Sequence, residues 1–208
     1  MVTNIIYIPI ADKCKKIAIT SSYSGEGKSY VSTNLAIMLA STANKKVLLL
    51  DTDIRKPDVK RLIGSRIVDG QGNTGLSEYV VGIDEKPNIL KTTVPNLDVM
   101  FSGLQNSNPT AILNSEKVSV LFDELSKEYD YLIIDTSPAG IVSDALLLAN
   151  KINGYIISSK ANYSNINSMS QTIESIKKVG GNIFGVVLTA VNLKSPGVSN
   201  KNYPYRSL

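Results

Sequence analysis

Short apolar runs recur along the chain, and longer stretches with helical spacing separate most of them. Residues 16–20, 46–51, 96–101, 131–135, 154–158 and 184–188 are dominated by Val, Ile and Leu with little polar alternation. Runs of this length and kind predict strands covered on both faces, as in a parallel sheet under helices. Residues 28–41 repeat apolar side chains at Val31, Leu35, Met38 and Leu39, at helical spacing. Residues 109–129 do so at Ile112, Val118, Leu121, Phe122 and Leu125, and residues 165–179 at Ile166, Met169, Ile173 and Ile176. A shorter helix is expected over 143–150, through Ala145, Leu146 and Leu148. Alternation of strand and helix predicts a doubly wound, mostly parallel α/β sheet flanked by helices, a three-layer sandwich. Residues 64–88 are rich in Gly and polar types and read as a long excursion with one short helix near 76–80. After Lys194 the chain carries Pro196, Gly197, several Asn and Ser, and two tyrosines, which reads as a mobile terminus.

Composition narrows the chemistry. The chain has 208 residues, 43% hydrophobic and 19% charged, which suits one α/β domain with its own core. The net charge of +4 is spread over scattered pairs such as Lys15-Lys16, Lys45-Lys46 and Lys177-Lys178, so no basic stripe argues for nucleic acid. There is no histidine, which removes the commonest general base and the commonest zinc ligand together. Cys14 is the only cysteine, so no disulfide forms within the chain. No apolar run reaches the roughly 18 residues of a membrane span. Residues 1–11 lack the basic start and long apolar stretch of a signal peptide. Catalysis therefore falls to Asp, Glu, Lys, Ser and Tyr.

The strongest local signal is Ser22-Tyr-Ser-Gly-Glu-Gly-Lys-Ser29, between the first expected strand and the first expected helix. That context makes it a phosphate-binding loop of the P-loop NTPase kind. Gly25 and Gly27 let the backbone close on phosphate oxygens. Lys28 reaches the terminal phosphates, and the Ser29 hydroxyl ligates Mg²⁺. Ser22 stands where the first glycine is usual. The strands expected at 46–51 and 131–135 end in Asp51-Thr-Asp53 and in Asp135. Ligands of open α/β sheets bind beyond these carboxyl ends, so the three acids should share a crevice with the loop. Carboxylates crowded there need a cation between them. Asp135 has the position of a Walker B aspartate. Of Asp51 and Asp53, one suits a base or an orienter of the nucleophile, and the other suits holding a metal-bound water.

Taken together, Gly25-Glu-Gly-Lys-Ser29, Leu48-Leu-Leu-Asp-Thr-Asp-Ile-Arg-Lys-Pro57 and Ile133-Ile-Asp-Thr-Ser-Pro138 resemble the Walker A, Walker A′ and Walker B motifs of bacterial tyrosine kinases. These are the cytoplasmic kinase parts of capsule and exopolysaccharide export systems, related to septum-site and plasmid-partition ATPases. The likeness extends through Asn108-Pro109 and Tyr129–Asp135 to Gly185-Val-Val-Leu188. It implies a kinase domain over residues 1–194 and a flexible tyrosine-bearing tail over 195–208. It implies ATP and Mg²⁺ as cofactors, with Ser24, Gly25, Glu26, Gly27, Lys28, Ser29 and Tyr30 around the nucleotide. Ser29, Asp53 and Asp135 would serve the metal. Asp51 would activate the tyrosine hydroxyl, with Lys28, Asp53 and Arg55 as further catalytic residues. Tyr203 and Tyr205 would be autophosphorylated in trans. A membrane activator or modulator protein of the export system would be the partner, with assembly into a homo-oligomer. The site of action would be the cytoplasm, at the inner face of the cell membrane through that partner.

The chain departs from these relatives at several places. The Glu-x-x-Arg-like motif used in their assembly is not found before Lys16, and the tail has two tyrosines rather than a cluster. Tyr30 stands where Thr is common, and Thr189 where an Asn often reads adenine. Two other readings stay open. A septum-site or partition ATPase would usually carry a second lysine early in the loop, where Ser22, Tyr23 and Ser24 stand here. A scaffold would hold nucleotide without turnover.

Overall fold

The computed structural model describes residues 5–68, 74–105 and 108–192. Seven strands form one sheet: β1 Lys15–Ser21, β2 Val47–Asp51, β3 Leu90–Lys91, β4 Leu97–Met100, β5 Tyr131–Asp135, β6 Gly154–Lys160 and β7 Ile183–Thr189. Their order across the sheet is β3-β4-β2-β5-β1-β6-β7. All neighbours pair in parallel except β3, which runs antiparallel to β4. The α-helices are α1 Lys28–Thr42, α2 Val59–Ile63, α3 Leu76–Val81, α4 Pro109–Asn114, α5 Glu116–Glu128 and α6 Ile166–Lys178, with 3₁₀ turns at Gly64–Arg66 and Asp144–Leu148.

Strand side chains alternate between two cores, as a pleated sheet requires. Ile17 and Ile19 of β1 with Val47 and Leu49 of β2 face one core, closed by Val31, Leu35 and Leu39 of α1 and by Val59 and Ile63 of α2. Ala18, Leu48 and Leu50 face the other, closed by Leu121, Phe122 and Leu125 of α5 and by Ile176 of α6. This is the expected three-layer sandwich. Burial on both faces explains why β1, β2 and β5 carry no polar alternation.

The sequence expectation includes neither β3 nor α2, and three further details differ. The last strand is an edge strand, with Val186 and Leu188 about half exposed rather than buried on both faces. The helix expected over 109–129 is two, because Ser115 turns extended and its hydroxyl accepts the Lys117 N–H, starting α5 afresh. The helix expected over 143–150 is a 3₁₀ turn at Asp144–Leu148. Among the described residues, no helix is long and apolar enough to cross a membrane.

Candidate active site

β1 ends at Ser21, and the following loop wraps back over the sheet before α1 begins at Lys28. Gly25 (φ 84°) and Gly27 (φ 88°) supply the left-handed turns that curl it. Ser22 adopts no positive φ, so a side chain is tolerated at the usual first glycine. Its hydroxyl takes a 3.0 Å hydrogen bond from Thr172 of α6. A Cβ at Gly140 would sit 2.4 Å from the Ser22 carbonyl oxygen, so only glycine lets the segment after β5 lie against the base of the loop. Glu26 braces the loop from inside. Its buried carboxylate accepts the Tyr23 N–H at 2.8 Å and bonds the Ser164 hydroxyl, while its carbonyl accepts the hydroxyls of Ser158 and Thr189. The cleft outside the loop is about 600 Å³ and is lined by Ser24, Gly25, Gly27, Lys28, Ser29 and Tyr30 together with Lys56, Asp58, Arg61 and Leu62.

The three acids gather around Lys28, but none of them lines the cleft at the loop, and Asp51 borders a separate pocket with Pro57, Lys60 and Phe101. Asp51 and Asp135 end adjacent strands in direct register. Lys28 Nζ meets Asp53 Oδ2 at 2.8 Å, and both side chains are nearly buried (11% and 2% exposed). Burial pulls the Lys28 pKa down, but the charges of Asp135, Asp53 and Asp51 outweigh it and leave it raised. Asp51 Oδ1 accepts the Asp53 N–H at 3.0 Å and Oδ2 the Val59 N–H at 3.3 Å. Burial and then the Asp135 charge still push its carboxyl well above the ordinary range. Asp135 is wholly buried, and neither of its oxygens accepts a hydrogen bond. The neighbouring Ser32 hydroxyl turns to the Ser29 carbonyl instead, at 3.0 Å. Burial, with a smaller push from Asp53, raises the Asp135 carboxyl from 3.8 to about 6, against the pull of Lys28 and of the nearby Ser29 and Ser32 hydroxyls, neither of which closes to a full hydrogen bond. A buried, unpartnered carboxylate beside Ser29 is what a loop for Mg²⁺-bound phosphates needs, so these residues fit the ion. Magnesium is usually held by a few protein oxygens, water and phosphate rather than by an all-protein cage. Among the described residues no group of three or more His, Cys, Asp or Glu side chains forms such a cage.

A pH effect follows. The unfolded Asp135 carboxyl loses its proton near 3.8, and the folded one keeps it to about 6. The folded state binds more protons in that window, so this group's contribution is full below 3.8 and is lost as pH rises through 6. Without nucleotide, Asp135→Asn should therefore gain stability relative to the parent chain as pH rises from about 4 to 7. Thermal melts of both proteins across that range check this. A gap that shrinks with pH would contradict it.

Residues 14–184 match the model of the AAA domain family. Across 183 residues the chain is 35% identical to the tyrosine-protein kinase CpsD of Streptococcus pneumoniae serotype 4, covering 88% of this chain and 78% of that one. The chain belongs to this family of bacterial tyrosine-protein kinases. As a P-loop family member it is a nucleotide-binding protein. The crystal structure of the chimerical protein CapA2B2 superposes on this kinase-family chain with a TM-score of 0.79 at 31% identity, covering 89% of this chain and 80% of that one. The septum site-determining protein MinD of Pyrococcus horikoshii, solved with Mg-ADP, shares the fold at 23% identity, with a TM-score of 0.68 over 84% of this chain and 70% of that one.

In this kinase-family chain, Ser24, Gly25, Gly27, Lys28, Ser29 and Tyr30 all border the cleft. The Glu26 side chain faces the protein interior. Thr189 sits beneath the loop, its hydroxyl given to the Glu26 and Ser159 carbonyls. Arg55 lies outside the cleft lining and reaches the buried Asp144. Tyr203 and Tyr205 lie outside the described residues. Sequence reasoning missed Asp144, Gly140 and the Ser164 and Thr172 braces. Only Asp144 carried a local signal, an acid just after Ser143 at the start of a short helical turn.

Proposed function

We propose that the chain is an ATP- and Mg²⁺-dependent protein-tyrosine autokinase that regulates capsular or exopolysaccharide synthesis and export. The observation that carries this reading is the orphaned Asp135 carboxylate, in register with Asp51 and facing the Lys28–Asp53 pair at the mouth of a glycine-turned phosphate loop. The inward N–H groups of residues 24–29 cradle the phosphates, and the α1 N-terminus adds partial positive charge. Lys28 exchanges Asp53 for the terminal phosphate oxygens. Ser29 and Asp135, with Asp53 nearby, would hold Mg²⁺, which neutralises charge on the phosphates. Asp51 takes the proton of an acceptor phenol. The phenol oxygen bonds the γ-phosphorus as the bond to the β-bridging oxygen breaks, and ADP leaves. Burial and the Asp135 charge raise the Asp51 pKa, which makes its carboxylate a stronger base than a free aspartate.

Tyr203 and Tyr205, in the tail at 195–208 beyond the kinase domain at 1–194, are the proposed acceptors, reached in trans within a homo-oligomer. A membrane activator of the export system would bring the chain to the inner face of the cytoplasmic membrane. One similar solved protein, CapA2B2, is itself a chimera, which supports a two-component arrangement. The test is incubation of the full chain with labelled ATP and Mg²⁺, with and without the activator's cytoplasmic tail, followed by mapping of phosphotyrosine. Label at Tyr203 or Tyr205 is expected. Phosphate release without phosphotyrosine would favour an ATPase switch, and binding without turnover a scaffold.

A further inference from the structure

Arg55 belongs to the Walker A′ string, yet its guanidinium turns away from the phosphate cleft. Its Nε meets Asp144 Oδ2 at 2.5 Å and an Nη meets Asp144 Oδ1 at 3.1 Å, a side-on, two-pronged grip. Thr110, the second residue of α4, donates its hydroxyl to Asp144 Oδ1 at 3.1 Å. Asn108 and Pro109 explain that placement. The Asn108 side chain accepts the Ala111 N–H, and Pro109 opens the helix, so the pair starts α4 where Thr110 reaches the carboxylate. The Arg55 carbonyl is held by Gln105 at 3.2 Å. Asp144 is itself anchored: Tyr155 of β6 donates to the carbonyl of the next residue, Ala145, at 2.7 Å. Three connections that leave different strands thus converge on one buried carboxylate.

We propose that Asp144 is a positioning residue that acts through Arg55 on the loop carrying Asp53. Asp144 is buried while the Arg55 side chain is 43% exposed, and an ion pair so open to water on one side adds little net stability, so fold stability alone does not call for it. What it adds is direction. Arg55 follows Asp53 by two residues, and Lys56, the next one, gives its N–H to Asp53 Oδ1 at 3.1 Å. Clamping Arg55 therefore fixes Asp53 from the side opposite Lys28. Asp53 is then presented at one angle to Lys28 and, once nucleotide enters, to the metal and phosphates. This assignment rests on the kinase reading for its catalytic consequence but not for its structural one.

The test is a double-mutant cycle in the full chain with Asp144→Asn, Arg55→Ala and the pair. Phosphotyrosine formation should fall about 10- to 100-fold in kcat in each single variant, with KM for ATP little changed, because small misplacements of reacting groups cost that much. The double variant should lose no more than either single one. In hydrogen exchange, the Asp53 and Lys56 amides should exchange roughly tenfold faster in all three variants, while α1 amides keep their protection. Unchanged turnover in Asp144→Asn, or losses that multiply in the double variant, would overturn the assignment. If the parent chain makes no phosphotyrosine, the kinase reading fails and exchange alone decides. Faster exchange at Asp53 and Lys56 then upholds the positioning role, and unchanged exchange rejects it.

Discussion

Lys28→Met is expected to lower phosphotyrosine formation by about 10³-fold or more and to weaken the fold at the same time. The first effect comes from removing the buried ammonium group of the phosphate loop, where a preorganised donor acts in a water-poor site. The second comes from Asp53. Its carboxylate is buried and its Oδ2 is paired with Lys28 at 2.8 Å, so Met removes its direct ion-pair partner. Breaking a buried pair from one side typically costs about 3–5 kcal/mol. The two effects separate in a second variant. Adding Asp53→Asn to Lys28→Met removes the stranded charge and should recover most of the lost stability while activity stays absent. Chemical denaturation gives the first quantity and phosphotyrosine blotting the second. A Lys28→Met chain that melts like its parent would mean that the pair is not the buried bridge described here.

Asp51→Asn is expected to lower phosphotyrosine formation by about 10²- to 10⁴-fold, the usual contribution of a general base. Nucleotide affinity should hold or rise slightly, because one negative charge near the phosphates is gone. Stability should hold or rise as well. Asp51 and Asp135 end adjacent strands in register, and the Asp135 charge adds to burial in raising the Asp51 pKa. The amide loses one of the two backbone hydrogen bonds to Asp53 and Val59, and relief of that repulsion offsets the loss. Full turnover in Asp51→Asn would remove the residue from the base role and leave its raised pKa as a consequence of crowding alone. Loss of nucleotide binding together with turnover would point to loop collapse instead.

Much of this arrangement was legible because its determinants are local. The turn at Gly25 and Gly27, the helix after Lys28 and the acids closing β2 and β5 all follow from short strings between a buried strand and the next element. β1, β2 and β5 were equally plain, since burial on both faces leaves no polar alternation to confuse. The same rule misled at β7. Phe184–Leu188 is as apolar as an inner strand, yet it lies at the sheet edge, where no sequence period distinguishes it. β3 is two residues long and offers no period at all. Ser115 followed by Glu116 did carry a helix-start signal, but the apolar spacing across it reads as continuous. The Arg55–Asp144 pair stayed hidden because the partners are 89 residues apart and meet only once the sheet has ordered its connections. Glu26 looked like part of the nucleotide surface, whereas its side chain turns inward to Tyr23 and Ser164.

Titration calorimetry with a non-hydrolysable ATP analogue and Mg²⁺ measures the grip of the loop without depending on any acceptor or activator. One saturable site per chain is expected, weakened when magnesium is chelated and lost in Lys28→Met. A full chain that gives no heat and no shift in melting temperature at millimolar nucleotide would contradict the account at its root.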